Sequence, residues 1–372
     1  MVLSRLKVSG LRNLESVSLN PGPRFNFITG DNGSGKSSLL EAIYMLGTGK
    51  SFRVSQLRSL VNIHTQQAAV YGELSPSGFA IGIERGAGTE SHIVVNGDRA
   101  HSASQLAAIL PVQSITLDDF QLFEGGPRVR RRFLDWGVFH VEQSAARSLF
   151  KQFERAVKQR NSGLKSGKIS GSEQRAWTHE FIRVSNQLHA LRTTYAEALM
   201  TEFRAICSRS GTFGFGQDLV VHYSPGWDHK MTLAEALERP GNLERERRTG
   251  ITQAGPHRAD LRMTWEGLPA KDVLSRGQMK VLGHCLKLAQ IRCLAREEGA
   301  QLPIILLDDL AAELDRNHLA EMLGLIDSFD TQVFMTVLAA EQLPAQELWH
   351  TNADQRWFSM VAGRILPNRL QE

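Results

Sequence analysis

Gly30-Asp31-Asn32-Gly33-Ser34-Gly35-Lys36-Ser37 fills every required position of the phosphate-loop pattern GxxxxGK[ST]. Its flanks agree with that reading. Arg24 to Thr29 has the apolar pattern of a strand, and Ser38 to Leu46 is apolar at helical spacing. Glycines let the backbone curl so that successive amide N–H groups face inward around phosphate oxygens at a helix N-terminus. Lys36 then reaches the β- and γ-phosphates, and the Ser37 hydroxyl holds Mg²⁺. Strand, loop and helix together predict a nucleoside triphosphate site, with Gly30, Asp31, Asn32, Gly33, Ser34, Gly35, Lys36 and Ser37 around the phosphates.

The second half of that site is sought far along the chain. Ile304-Ile305-Leu306-Leu307-Asp308-Asp309 is an unbroken apolar run ending in two acids, as in a parallel strand buried on both faces. Asp308 is placed to hold Mg²⁺, the Walker-B role, and Asp309 to orient an attacking water as general base. Some 272 residues separate Lys36 from Asp308, so a large insertion divides one site into two sequence halves.

Leu274-Ser275-Arg276-Gly277-Gln278 opens a predicted helix from Met279 to Glu298. Leu282, Cys285, Leu286, Ala289, Cys293 and Leu294 share one face, and Gly299 is the predicted stop. Ser275 is a natural N-cap, and Gly277 lets the backbone approach an anion. The order phosphate loop, Ser-x-Gly-Gln helix, Asp-tipped strand resembles the ABC-type ATPases. That resemblance implies that Ser275, Gly277 and Gln278 contact the γ-phosphate held by a second subunit. It also implies that Ala311-Ala312-Glu313-Leu314-Asp315 crosses the interface of an ATP-closed homodimer.

Residues outside these shared motifs narrow the resemblance. Gly10-Leu11-Arg12-Asn13-Leu14, Gly49-Lys50-Ser51-Phe52-Arg53, the stretch Gly125-Gly126-Pro127 to Phe133-Leu134-Asp135-Trp136, and Gly255-Pro256-His257-Arg258 are similar in order and spacing to the bacterial RecF family of DNA replication and repair ATPases. The likeness spans essentially the whole chain. It implies ATP-dependent binding at single-strand/double-strand DNA junctions, recombinase loading with RecO and RecR, and support of the SOS response. By resemblance Arg12 and Asn13 are candidates on the adenine side, and Gln113 is a candidate for linking Mg²⁺. His257 and Arg258 read either as a DNA or interface surface or as a capped turn. Two details bear on mechanism. Asp309 is one methylene shorter than the glutamate common at this position in ABC-type transporters, which suggests slow turnover and a switch more than a motor. Thr336 stands where transporter ATPases usually carry a histidine and would be a weaker γ-phosphate contact.

Composition sets outer bounds. The 372 residues suffice for one large or two moderate domains, with apolar and charged fractions of 42% and 22% that fit a globular chain. No apolar run approaches ~18 residues, and the N-terminus lacks the h-region of a signal peptide, so a cytoplasmic protein with no membrane span is expected. Cys207, Cys285 and Cys293 form no CxxC pair and read as buried thiols in a reducing compartment.

The expected architecture is α/β: an ABC-type P-loop ATPase head with a mostly parallel twisted sheet plus an inserted helical lobe. Residues 1–112 and 250–372 form the head, and 113–249 the lobe. Within the head, hairpin-like strands run near Ala68 to Gly72 and His92 to Asp98, with a two-residue turn at Asn96-Gly97. A late core strand spans Thr331 to Val337, and Trp357 to Val361 closes against Arg364-Ile365. In the lobe, helices at about 142–160 and 173–207 flank a glycine-rich tip from Gly163 to Gly171.

Charge is distributed unevenly. From Gly125 to Arg192 there are fourteen Lys and Arg against five Asp and Glu, a net of +9 on a chain of +4, so the remainder is −5. Lys151, Arg155 and Lys158 fall on one helical face, and Arg128, Arg131 and Arg132 cluster ahead of them. Such a surface tracks DNA phosphates with little sequence preference. Two alternatives stand beside this reading. One is the ATP-binding subunit of a membrane transporter. The other is a nucleotide-gated repair adaptor that touches no DNA, since basic surface also binds acidic proteins.

Overall fold

The computed structural model describes residues 1–53, 57–86, 91–100, 102–166, 171–344 and 354–366. Two compact units emerge: Met1–Asp118 with Glu298–Glu372, and Asp119–Glu297.

The first unit holds two six-stranded sheets. In one, Arg356–Val361, Phe25–Thr29, Val333–Val337, Ile304–Leu307 and Val112–Ile115 lie side by side in that order, every neighbouring pair parallel. Arg364–Ile365 pairs antiparallel at the outer edge. Ile304–Leu307 and Val333–Val337 are buried at every residue, which their unbroken apolar runs required. The other sheet is wholly antiparallel, in the order Leu14–Leu19, Val2–Leu11, Gln67–Ser75, Ala80–Gly86, Ser91–Val95 and Asp98–Arg99. Asn96 and Gly97 turn its last hairpin with φ of 51° and 89°, the backbone that an Asn-Gly pair tolerates. The unit is therefore parallel around the phosphate loop and antiparallel beside it.

The helix Lys36–Thr48 shares one core with both sheets. Leu39, Leu40, Ile43 and Leu46 pack in a cluster with Leu3, Leu6 and Val8 of the antiparallel sheet and Ile28, Leu306 and Phe334 of the parallel one. Apolar residues on nearly all sides of this helix thus reflect burial between two sheets.

The second unit is built on two long helices, Pro127–Ser166 and Gly171–Arg209. The first bends at Gln143, whose φ of 42° and ψ of −109° are not helical. Gly163 to Ser166 of the expected tip belong to this helix, and residues 167–170 lie outside the described residues. Phe153, Phe181, Val184 and Leu188 form a core with Leu233, Leu237 and Ala254. The guanidinium of Arg160 is buried with the Glu246 carboxylate, to which it donates at 2.8 and 3.0 Å, and also donates to Thr252 Oγ1 at 2.8 Å.

Two features differ from the sequence reading. A three-stranded antiparallel sheet, Leu219–Ser224, Asp260–Trp265 and Leu268–Pro269, accompanies the helices. And the division falls at residues 118 and 297, not 112 and 249, because the helix Arg276–Ala295 packs its buried face on Gly171–Arg209. That helix ends at Ala295 with Arg296 as C-cap, ahead of the expected stop at Gly299. All six residues expected on its apolar face are buried, as are the three cysteines, which form no disulfide among the described residues.

Candidate nucleotide-binding site

The phosphate loop follows the strand Phe25–Thr29 and leads into Lys36–Thr48, at the carboxyl end of the parallel strands where such sheets bind ligands. Gly30, Gly33 and Gly35 take φ of 147°, 79° and 113°. At Gly35 a Cβ would also lie 2.7 Å from Leu14 Cδ2, whereas open space surrounds Gly33 and its backbone conformation alone demands glycine. No side chain caps the helix at Gly35, so its first amides stay available to an anion. Lys36 is 5% exposed, and its Nζ donates to the carbonyls of Gly30 at 2.6 Å and Asp31 at 3.0 Å. The buried Ser34 Oγ has no hydrogen-bond partner among the described residues.

Asp308 follows Ile304–Leu307 and its amide donates to Ile115 O at 3.2 Å. The Ser37 side chain lies near enough to the Asp308 carboxyl to favour its charged form, so the two motifs that the sequence holds far apart meet. Burial raises the Asp308 carboxyl above its ordinary range, and the neighbouring Asp309 adds to this. The nearby Ser37 side chain, the hydrogen bond from Thr336 and the charge of Arg53 oppose it. Asp309 takes a left-handed φ of 54° at the start of Leu310–Glu313. Thr336, from the strand between the two motif strands, is wholly buried. Its hydroxyl lies 3.0 Å from Asp308 Oδ1 and 3.3 Å from Asp309 Oδ1, and accepts from the Asp309 amide at 2.8 Å. Thr336, expected as a weaker γ-phosphate contact, thus also touches both members of the acid pair.

Gln113, the candidate for linking Mg²⁺, lies on the edge strand of the parallel sheet. It is buried in mid-strand opposite Ile305, two residues before the strand end at Ile115. Arg12 and Asn13, expected on the adenine side, are committed to holding the loop and its helix. Asn13 Nδ2 donates to Gly33 O at 2.9 Å, and its Oδ1 accepts from Ser38 Oγ at 3.0 Å. Arg12 donates from two nitrogens to the wholly buried Glu41 carboxylate, at 2.7 and 3.0 Å, and Glu41 also accepts from the Ser51 hydroxyl. A charged Glu41 inside an otherwise apolar helical stretch was the one sequence signal for this network.

In the second unit, Ser275 and Gln278 form a reciprocal capping box: Ser275 Oγ accepts from the Gln278 amide at 3.2 Å, and Gln278 Oε1 from the Ser275 amide at 2.9 Å. Ser275, Arg276, Gly277 and Gln278 are all exposed. A Cβ added at Gly277 would find its nearest neighbour, Ser275 Oγ, 3.9 Å away, so nothing in its own unit requires glycine there. Ala312, Glu313 and Asp315 are exposed, and Asp315 caps Arg316–Asp327.

The stretch Gly125 to Trp136 and the segment from Gly255 to Asp260 meet inside the second unit. Arg130 pairs with Asp260 through two bonds, 2.7 and 3.0 Å. Arg192 does the same with Asp135, at 2.8 and 2.9 Å, while donating to Pro256 O at 2.7 Å. His257 faces Thr252 O at 3.0 Å and is held below its ordinary range by burial, so it belongs to this turn. Arg131 donates to Ala259 O at 2.8 Å and is half-buried. Arg128, Arg132, Lys151, Arg155 and Lys158 are exposed and form no ion pair among the described residues. Part of the positive excess is thus internal, and five of the six candidate cations face solvent.

A phosphate loop and an acid-tipped strand brought together at one end of a parallel sheet define an ABC-type P-loop ATPase head. The family model described as "RecF/RecN/SMC N terminal domain" matches residues 2–353. The chain is 40% identical to the DNA replication and repair protein RecF of Pseudomonas syringae pv. tomato, over 98% of each chain. It is 38% identical to that of Pseudomonas aeruginosa strain LESB58, over 98% of this chain and 97% of the other. The chain belongs to the RecF family of DNA replication and repair proteins. Its fold is shared with a solved "recombination mediator protein RecF-ATP in RecFOR pathway", at a TM-score of 0.80 and 24% identity over 98% and 96% of the two chains. A Smc head domain from Pyrococcus furiosus shares it at a TM-score of 0.55 and 18% identity, over 98% and 95%. No described helix is long and apolar enough to cross a membrane.

Proposed function

We propose that this chain is an ATP-dependent DNA-binding protein of recombinational repair, acting in the cytoplasm as an ATP-gated homodimer at single-strand/double-strand junctions. RecO and RecR are its proposed partners in recombinase loading; the solved RecF relative is described within a RecFOR pathway. The observation that carries the reading is strand order: Val333–Val337 lies parallel between the strand that leads into the phosphate loop and the strand that leads into Asp308, so two distant motifs close one site.

The residues present fit a triphosphate with a divalent ion. Ser34 Oγ is buried without a partner among the described residues, the Lys36 ammonium rests on loop carbonyls, and no side chain caps the helix that follows. Among the described residues no cluster of three His, Cys, Asp or Glu side chains is placed to hold a metal. A Mg²⁺ site made by one carboxylate and one hydroxyl together with phosphate oxygens suits that composition. Ser37 and Asp308 would hold the ion, which supplies charge neutralisation between the phosphates. Lys36 would exchange its carbonyl partners for phosphate oxygens. Asp309 would accept the proton of the attacking water, giving a slow ATPase that works as a switch. Ser275, Gly277 and Gln278 would face the γ-phosphate of the partner copy, which accounts for a glycine that its own unit does not need. Arg128, Arg132, Lys151, Arg155 and Lys158 would meet DNA phosphates, with Arg131 less available.

The test is binding of the purified protein to duplex and gapped DNA with and without ATP. Tighter binding with ATP, and a preference for the gapped substrate, is the expected result. No DNA binding under either condition would favour a nucleotide-gated adaptor.

A further inference from the structure

We propose that Thr336 is the positioning residue of the acid pair, fixing Asp308 and Asp309 relative to each other through one hydroxyl. This rests on the reading of Asp308 as metal ligand and Asp309 as base. Strand order puts the residue in place. Val333–Val337 lies between the strand that precedes the phosphate loop and the strand that ends in Asp308, in parallel register with both. A side chain near its end therefore faces the acid pair from the adjoining strand.

Every face of the Thr336 hydroxyl is used. It accepts from the Asp309 amide at 2.8 Å, and carboxylate oxygens of Asp308 and Asp309 lie 3.0 and 3.3 Å away, with Leu307 O at 3.5 Å. A hydroxyl owns one proton, so it donates fully to one of these oxygens at a time. Asp308 is nearest. A carboxylate drawn away from the hydroxyl leaves that proton to the other acid, and the amide bond stays in place throughout.

The amide bond has its own purpose. Asp309 is held at a left-handed φ of 54°, a conformation that costs a non-glycine residue energy unless its surroundings fix it. With the Thr336 side chain wholly buried, the hydroxyl oxygen is a fixed acceptor that selects this backbone conformation. It thereby sets where the Asp309 carboxylate points. A base displaced by about 1 Å loses roughly 100-fold in rate, so the positioning is consequential.

The experiment compares wild type, Thr336→Val and Thr336→Ser. Valine keeps the shape and removes both hydrogen-bonding functions; serine keeps the hydroxyl. Amide hydrogen exchange at Asp309 is read first, on the nucleotide-free protein. We expect exchange faster by about 10-fold or more in the valine variant and near wild type in serine. ATP affinity in Mg²⁺ should change by less than about 3-fold while turnover falls about 10-fold or more in valine, with serine restoring most of it. Unchanged Asp309 exchange in the valine variant, or a serine variant as impaired as valine, overturns the proposal. A wild-type protein that binds no ATP would instead overturn the functional reading, and the exchange measurement would still decide whether Thr336 holds Asp309.

Discussion

The Lys36 ammonium donates to the Gly30 carbonyl at 2.6 Å, across the loop whose first glycine that carbonyl belongs to. The lysine is thus held in place by the loop backbone, through the carbonyls of Gly30 and Asp31. Lys36→Met removes the charge but keeps an apolar stem of similar length. ATP binding should be lost, with the circular dichroism spectrum unchanged. Isothermal titration with ATP and Mg²⁺ checks it, and near-normal affinity would refute the assignment.

Asp309→Asn is expected to keep ATP binding and stop turnover, because Asp308 and Ser37 remain while the base does not. A closed dimer should then accumulate. Light scattering in ATP and Mg²⁺ distinguishes this from a protein that stays monomeric.

Gly277→Ala separates the free protein from its ATP-bound assembly. A Cβ at Gly277 meets only Ser275 Oγ, at ordinary contact distance, and alanine is the better helix former, so the nucleotide-free protein should become more stable by about 0.5 kcal/mol. ATP-dependent dimerisation should weaken if a partner's phosphate approaches that backbone. Thermal melts and sedimentation on one preparation read both effects. A variant that dimerises normally would remove Gly277 from the interface.

Neutralising Lys151, Arg155 and Lys158 together removes three exposed cations that have no ion pair among the described residues. If all three meet phosphates, the slope of log K against log salt on duplex DNA becomes shallower by about 0.9 per contact. ATP affinity and ATP-dependent dimerisation, measured in the same variant, should hold. An unchanged slope with intact dimerisation would place DNA elsewhere on the molecule.

His140 gives the fold a pH dependence. It is 7% exposed, its ring lies 4.3 Å from that of Trp136, and burial pushes its pKa from 6.5 down to about 4. Above pH 6.5 both folded and unfolded states hold it neutral, and its contribution to stability is complete. As pH falls from 6.5 to 4 the unfolded chain binds a proton that the fold refuses. Stability is lost over that window at up to about 1.4 kcal/mol per pH unit. Urea titrations across the window should show a flatter dependence for His140→Phe than for wild type; equal slopes would exclude His140 as a source.

Much of this protein was written locally. The phosphate loop, the acid-tipped strand, the capped helix at Ser275 and the Asn96-Gly97 turn each depend on glycine conformations, a cap or an apolar period spanning a few residues. Such features are visible in a linear chain because their physics is local. Other features depend on which strands become neighbours, and distant segments decide that. Thr336 meets Asp308 and Asp309 because its strand is inserted between the two motif strands. Gln113 is buried opposite Ile305 because its strand pairs with Ile304–Leu307 in that register. The sequence also showed a basic segment as a single sum of charges. Folding divided it, drawing Arg130, Arg160 and Arg192 inward to Asp260, Glu246 and Asp135 and leaving Lys151, Arg155 and Lys158 in solvent. Composition fixes how many charges a chain carries. Only tertiary structure decides which find partners, because a buried charge must be paired while an exposed one need not be.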